Sequence, residues 1–570
     1  MKTVLAAVNA KFIHSALAVR YLKAYTENLD YECKIIEFSI NDSREKVIQQ
    51  LILEAPDIIG FSCYIWNIDF IKYIALHIKL INPDIKILYG GPEVSYDPDE
   101  FLKNNPGEFI IQGEGEETYH ELIELMISNV KYTSEAVKDS NIKGLYFRDG
   151  EHIQCAGKRA QMDMNNIVFP YGDLIGLENK IIYYEASRGC PFLCKYCLSS
   201  TSHGVRFLDF QRVKKELDFF INNKVNLVKF VDRTFNCNKK FAMAIWSYLI
   251  EKAPDTRFHF EISADLLDKD ELELLSRARP GLFQFEVGVQ TTNSEVLKNI
   301  NRYVSFEDIK KTVVELEKLK NIKQHLDLIA GLPGENIESF KESFNEVYSI
   351  KPEELQLGFL KLLKGSDMRK EAEHWGMVYS PEPPYEILKT NTMSYLDIIL
   401  LKRVEEVLDK YYNSNKFDNI LNFFIPRFNS AFDFYMKLGD FFNIKGYFNK
   451  NISNAQYYKI FIDFYEFSFN EESLILKELI KFDYLRFNKR KWLPDFLCRE
   501  IDKEQERILK DLIKEQKLQT LDRCHMEKFF IDIIKYIETG YIEKSDTYIL
   551  FDEQGDIYSY GGKGNIAFWR

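Results

Sequence analysis

The sequence lacks the marks of several protein classes. Its nine cysteines, an odd number, are scattered over 570 residues, which argues against a disulfide framework and for a reducing, cytoplasmic setting. It lacks positive charge: the formal net charge is −12. Phosphate binding needs a basic surface, so a nucleic-acid partner is disfavoured, local basic pockets apart. Every apolar run is broken by charges well short of the roughly 18 residues a membrane span needs. The amino-terminal MKTVLAAVNAKF has too short an apolar run for a signal peptide, and no small-residue cleavage site follows. Long internal repeats and low-complexity tracts are also missing.

Apolar residues are plentiful at 46%, enough for large cores, and at about 150 residues per domain the chain should hold roughly three or four units. Residues 1–130 alternate buried-strand runs (3–8, 33–38, 58–61, 85–89 and 109–111) with helical segments such as 68–80 and 117–127. Five strands with short crossovers predict a doubly wound, Rossmann-like open sheet, with ligands beyond the carboxyl ends of its strands. Two glycine-rich turns fall there, Gly90-Gly91-Pro92-Glu93 and Gly113-Glu114-Gly115-Glu116. They suit close backbone approach to a ligand, although an ordinary strand-to-helix turn reads the same way.

Residues 131–180 read as a connector, with a hairpin turn at Asp149-Gly150. Residues 181–370 then repeat strand and helix six times (strands 182–186, 227–231, 257–262, 282–287, 324–329 and 354–360), which predicts a partial (β/α)6 barrel with its chemistry at the strand carboxyl ends. Residues 371–570 read as mostly helical and rich in Phe and Tyr, with a terminal hairpin around Glu553-Gln554-Gly555-Asp556. No chemical motif emerges after 371, and aromatic stripes at helical spacing are read as core. The basic patch Lys489-Arg490-Lys491 is read as a solvated turn.

The strongest chemical signal follows the first barrel strand: Arg188-Gly189-Cys190-Pro191-Phe192-Leu193-Cys194-Lys195-Tyr196-Cys197. Three thiolates within eight residues of loop can wrap one face of an iron–sulfur cubane and leave one iron open to another ligand. Soft sulfur donors also suit zinc. A structural zinc site wants a fourth ligand, and His203 is the nearby candidate.

This Cys-x3-Cys-x2-Cys spacing, with an aromatic before the last cysteine, resembles that of the radical S-adenosylmethionine superfamily. The resemblance covers about 181–365. It implies a [4Fe–4S] cluster on Cys190, Cys194 and Cys197, with S-adenosylmethionine on the open iron. Reductive cleavage then gives a 5′-deoxyadenosyl radical that takes a hydrogen from the substrate. Further segments are similar to that family: Phe230–Phe235, placing Asp232 near the methionyl amino group; Phe260–Ser263, with Glu261 toward a ribose hydroxyl; the Glu-x-Gly-x-Gln segment of Glu286 and Gln290; and the turn of Gly331 and Gly334, against adenine. Tyr196 joins this set.

A doubly wound domain ahead of such a barrel resembles the cobalamin-binding subclass. The Gly-Gly-Pro and Gly-Glu-Gly-Glu-Glu-Thr turns and the connector ending Phe169-Pro170-Tyr171 fit it. By this resemblance Ser62, Gly90, Gly91, Gly113 and Gly115 line a corrin, with Cys63 beside them. The Asp-x-His-x-x-Gly signature that supplies a lower histidine ligand elsewhere is absent, and His14 is read as packing at a helix start. The layout resembles families in which an uncharacterised helical domain follows, placed to cover the barrel mouth. The expected function is cobalamin-dependent radical methylation of an unactivated carbon. The alternatives are a non-methylating radical oxidoreductase or cyclase with cobalamin as redox partner, and a non-catalytic corrinoid or metal sensor. The expected partners are a small-molecule or peptide substrate and a reducing donor such as flavodoxin or ferredoxin.

Overall fold

The computed structural model describes all residues except 129–133, 203, 489–491, 517, 519–520, 522–523, 553–554, 563 and 570. It divides into two units. One comprises Met1–Glu346 and Leu357–Ile398, and the other Val347–Gln356 and Ile399–Arg570.

The first unit opens with a seven-stranded sheet: β1 (Lys2–Asn9), β2 (Glu32–Ser39), β3 (Ile58–Ser62), β4 (Lys86–Gly90), β5 (Phe109–Ile111), β6 (Leu145–Asp149) and β7 (His152–Cys155), in the order β2-β1-β3-β4-β5-β6-β7. The first five are parallel. Helices cover both faces, so β1 and β3 are buried almost end to end and read as continuous apolar runs. The helix Ile68–Ile81 turns Ile71, Ile74, Ala75 and Ile78 inward. The hairpin β6–β7, read from sequence as part of a connector, instead continues this sheet. Its β6 pairs antiparallel with β5, and the pairing covers an edge that the three-residue β5 would otherwise leave open.

Two short strands, β9 (Ser187–Gly189) and β10 (Val205–Phe207), pair antiparallel around the cysteine loop. They lie between β8 (Ile182–Tyr184) and the rest of the barrel sheet: β11 (Leu227–Phe230), β12 (Arg257–Ile262), β13 (Phe283–Gln290), β14 (Ile322–Ala330) and β15 (Glu354–Phe359). The sheet order is β15-β14-β13-β12-β11-β8, the partial barrel expected of six βα units. Phe230, Phe235, Trp246 and Phe260 pack ring on ring on the helix side of this sheet. Alternation then turns Lys229, His259, Glu261 and Glu286 to the other side. A short pair, β16 (Val378–Tyr379) and β17 (Ile387–Lys389), closes this unit's chain.

The second unit is helical and then antiparallel. Tyr411, Phe417, Phe424, Phe461 and Phe464 are buried and in mutual ring contact, as core. The expected terminal hairpin forms the middle of a four-stranded sheet: β18 (His525–Phe529), β19 (Thr547–Phe551), β20 (Ile557–Tyr560) and β21 (Ala567–Trp569). The outer strands escape sequence reading because β18 is interrupted by charge and β21 is only three residues long. Glu553 and Gln554 of the turn, and the Lys489–Lys491 patch, lie outside the described residues. No described helix is long and apolar enough to cross a membrane.

Candidate functional site

The three cysteines share one loop between β9 and β10, and all are free thiols. Gly189 opens the loop at φ +107°, and a Cβ there would overlap the carbonyl oxygen of Gly204, so only glycine lets the two strands close. Neighbours hold the loop along its length. The Lys195 N–H donates to Ile300 O (3.0 Å) and the Met368 N–H to Lys195 O (2.9 Å). Asn301 Nδ2 donates to Leu193 O (2.8 Å). Cys190 Sγ lies 3.5 Å from Thr234 Oγ1. Burial pushes the Cys194 thiol up. Arg302 opposes that with Nη1 4.0 Å from the sulfur, and the nearby Cys197 and Cys190 thiols reinforce it. Arg302, which sequence reading did not single out, is a half-buried cation placed to offset thiolate charge here, and it also donates to Gly288 O (2.6 Å).

Among the described residues no three His, Cys, Asp or Glu side chains converge on a single-ion position. A cubane gives each thiolate its own iron, so its ligands stand apart, and three soft donors on a clamped loop fit that group. His203, the fourth-ligand candidate for zinc, lies outside the described residues.

Asp232 is buried. Its Oδ1 accepts from Ser187 Oγ (2.5 Å) and its Oδ2 from the Ala186 N–H (3.1 Å), so both oxygens already hold the strand that leads into the cysteine loop. Burial pushes its carboxyl up to about 7, against those two hydrogen bonds. Glu261 and Glu286 are neighbours in register on β12 and β13. Burial raises the Glu261 carboxyl, opposed by Arg233 at 3.6 Å. Burial also works against Glu286, but His259 at 3.2 Å and Lys229 at 3.3 Å hold it down at about 2. Tyr196 is packed beside Arg302 and Cys194, and burial raises its phenol. Gln290 ends β13 at φ +72°, with a buried Oε1 that no donor among the described residues reaches. Gly331 and Gly334 both have positive φ. A Cβ on Gly331 would stand 2.7 Å from Ile387, so that turn packs on an aliphatic side chain.

A cavity of about 870 Å³ lies where the carboxyl ends of the first sheet face the barrel. Ser62, Gly90, Gly91, Gly113 and Gly115, the five corrin candidates, all line it, as does Arg159–Gln161 of the expected connector. Gly91 sits at φ +110°, and a Cβ there would stand 2.6 Å from Cys63 O. On the barrel side the wall is Tyr183, Glu185, Arg188, Leu198, Val231 and Arg233, so the cavity reaches the residue after Cys197. Its volume and glycine-rich wall fit a large, flat cofactor. His14 lines it too, with Nδ1 2.6 Å from Tyr183 Oη, and a single bridge pairs His14 with Ile181. It thus joins the first sheet to the start of β8.

Arg188 was missed by sequence reading. Its guanidinium meets Glu116 (2.6 Å), Glu185 (2.8 Å) and, at 3.9 Å, Glu114, beneath the face of Tyr21. The second glycine turn is thereby tied to the residue two before Cys190. The signal was present in Glu-Gly-Glu and Arg-Gly-Cys, but nothing local pairs segments 72 residues apart.

Comparison with known proteins accords with this geometry. Residues 3–123 match the B12-binding domain and 184–347 the radical SAM superfamily, while 373–551 match a protein family of unknown function, DUF4080. The chain is 25% identical over 329 residues to a 2-(S-pantetheinyl)-carbapenam-3-carboxylate methyltransferase of Streptantibioticus cattleyicolor, covering 51% of this chain and 45% of that one. It is 23% identical over 354 residues to the cobalamin-dependent radical SAM methyltransferase TokK of Streptomyces tokunonensis (58% and 51%). It is also 22% identical over 353 residues to an anaerobic magnesium-protoporphyrin IX monomethyl ester cyclase of Rubrivivax gelatinosus (59% and 62%). The chain thus spans about half the length of the first two relatives. In fold it is similar to the cobalamin-dependent radical enzyme OxsB with aqua-cobalamin and S-adenosylmethionine bound (TM-score 0.57, 16% identity, 91% of this chain and 75% of that one). It is likewise similar to the methyltransferase TsrM of Kitasatospora setae with cobalamin and a [4Fe-4S] cluster bound (0.55, 16%, 68% and 82%).

Proposed function

We propose that this chain, a B12-binding domain joined to a radical SAM domain, is a cobalamin-dependent radical S-adenosylmethionine enzyme that methylates an unactivated carbon. One observation carries the reading: a single cavity runs from the glycine turns of the first sheet to the cysteine loop of the barrel. When bound, the cluster supplies the electron that cleaves S-adenosylmethionine, and the corrin supplies the methyl group. Cys190, Cys194 and Cys197 hold the cluster. Ser62, Gly90, Gly91, Gly113 and Gly115 take the corrin, while Tyr196, Glu261, Glu286, Gln290, Gly331 and Gly334 frame S-adenosylmethionine. Asp232 shapes the strand before the cluster and reaches S-adenosylmethionine only through it. The Arg188 ion pairs tie the second glycine turn to the strand that leads into the cysteine loop. The odd number of cysteines scattered over the chain supports a reducing, cytoplasmic setting. The substrate is a small molecule or peptide, and a flavodoxin or ferredoxin supplies electrons.

The match to a cyclase favours a second reading, a non-methylating radical oxidation or cyclisation in the same site. The test is anaerobic reconstitution of the full chain with iron, sulfide and hydroxocobalamin, followed by product analysis with labelled S-adenosylmethionine and cell extract as substrate source. Methylation requires 5′-deoxyadenosine together with S-adenosylhomocysteine. 5′-Deoxyadenosine alone selects the second reading. Cys194→Ala should form neither, and undiminished 5′-deoxyadenosine in that variant overturns both.

A further inference from the structure

Residues 360–393 lie beyond the radical SAM match, which ends at 347, and across the start of the next, at 373. They form neither a barrel strand nor part of the second unit. Leu360, Leu362, Met368, Met377, Tyr385 and Ile387 are all buried. Backbone bonds fold the segment on itself: the Leu362 N–H donates to Tyr385 O (2.9 Å) and the Ile387 N–H to Leu360 O (2.9 Å). Arg369 stacks over the rings of Tyr385 and Tyr379 and donates to Leu362 O (2.9 Å). The segment is therefore one cross-braced piece.

That piece touches three loops at once. At the cysteine loop, the Met368 N–H is bonded to Lys195 O, and Glu371 forms an ion pair with Lys195 at 2.9 Å. At the first glycine turn, the Tyr385 hydroxyl donates to the buried carboxylate of Glu93, and Lys364 lies 3.5 Å from the same oxygen. Beside it the Tyr96 ring sits so close on Gly365 that a Cβ would overlap it. At the Gly331–Gly334 turn, Ile387 covers Gly331 and Thr392 Oγ1 donates to Glu335 O (2.8 Å). Glu93 directly follows Gly90-Gly91-Pro92, which line the cavity, and Tyr96 lines it too.

We propose that residues 360–393 are a brace that couples the corrin loop to the cluster loop, with Tyr385 and Glu93 as positioning residues at its corrin end. The proposal rests on the cofactor reading above. Taking up a cluster orders the cysteine loop. The brace passes that order to the Gly90–Tyr96 loop, which then binds a corrin at a smaller entropic cost. Coupling of binding free energies is reciprocal, so cobalamin in turn slows loss of the cluster.

The test titrates hydroxocobalamin, followed by visible absorbance, into the full chain with and without reconstituted cluster. The cluster should tighten binding about fivefold or more, the low end of ordinary coupling between sites. Tyr385→Phe should lower that ratio, by removing the hydroxyl that donates to Glu93, while leaving iron content unchanged. Glu93→Gln keeps an acceptor and should retain the ratio. Glu371→Gln, at the other end, should lower it even if Tyr385→Phe fails to fold. Equal ratios in wild type and Tyr385→Phe overturn the brace. If the wild type takes up no hydroxocobalamin, the cofactor reading fails, and hydrogen exchange decides the brace separately. Cluster loading must then protect residues 90–96 in wild type and not in Tyr385→Phe, and no such protection overturns it.

Discussion

Asp232→Asn separates a carboxylate that must meet a ligand from one that only shapes the strand before the cysteines. The side chain is 1% exposed, and both oxygens accept hydrogen bonds, from Ser187 Oγ and the Ala186 N–H. Asparagine is isosteric: its oxygen can keep the amide and its NH2 can donate to the serine hydroxyl. The substitution should therefore leave cluster content and S-adenosylmethionine cleavage intact. The effect on stability depends on pH, and its sign is fixed. Burial raises the folded carboxyl to about 7 from an ordinary 3.8, so the native state binds the proton more tightly than the unfolded chain. Wild type then loses stability as pH climbs from the ordinary value to about 7, and loses no more above it. At about 1.36 kcal/mol per unit the whole window is worth roughly 4 kcal/mol, most of it between pH ~5 and pH ~7. Asparagine has no such cost, so its advantage over wild type should be about 3 kcal/mol larger at pH ~8.5 than at pH ~5. Urea midpoints for the pair at each pH give the difference, with other titrating groups cancelling. A pH-independent difference would refute the buried, proton-binding carboxyl. Loss of S-adenosylmethionine cleavage with the cluster intact would return Asp232 to direct ligand contact.

Arg188→Met strands Glu116 and Glu185 in a largely buried pocket and should cost about 3–5 kcal/mol, read as a lowered urea midpoint; a midpoint within error of wild type would show that water reaches the pair. Gly91→Ala and Gly113→Ala both place a side chain at positive φ, of order 1–3 kcal/mol of strain each. Only Gly91→Ala drives a Cβ to 2.6 Å from a carbonyl oxygen, while at Gly113 nothing lies within 4 Å. Hydroxocobalamin uptake should accordingly fall further in the first than in the second, where the added methyl meets only the cavity.

What could be read from sequence were features written locally. The strands β1, β3 and β12 are continuous or alternating apolar runs, because a covered parallel sheet selects them residue by residue, and the expected 257–262 is the observed Arg257–Ile262. The cysteine spacing is likewise local. What could not be read depends on partners far along the chain. The β6–β7 hairpin is visible as a hairpin, yet its addition to the first sheet is decided by the open edge of β5. Arg188 looks like any arginine beside a cysteine until Glu116 folds against it. Residues 360–393 hold only one helical turn and the short β16–β17 pair, too little to write a period, because their side chains are spaced mainly by the three loops they meet.

The charged side of the barrel sheet carries the same lesson into chemistry. Glu261 and Glu286 are adjacent in register and equivalent by residue type, but their surroundings divide them. Glu286, between Lys229 and His259, stays ionised down to about pH 2, so it accepts hydrogen bonds at any working pH and donates none. Glu261 has one looser cation at 3.6 Å and a like charge beside it, and its carboxyl is raised. Paired carboxyls whose environments pull their proton affinities apart take separate roles. On the proposed reading Glu286 accepts from a hydroxyl or ammonium group of the bound molecule, and Glu261 is the member whose charge answers to whatever fills the space beside Arg233. Because Arg233 also lines the large cavity, that answer is tied to the same chamber that the glycine turns and the cysteine loop share.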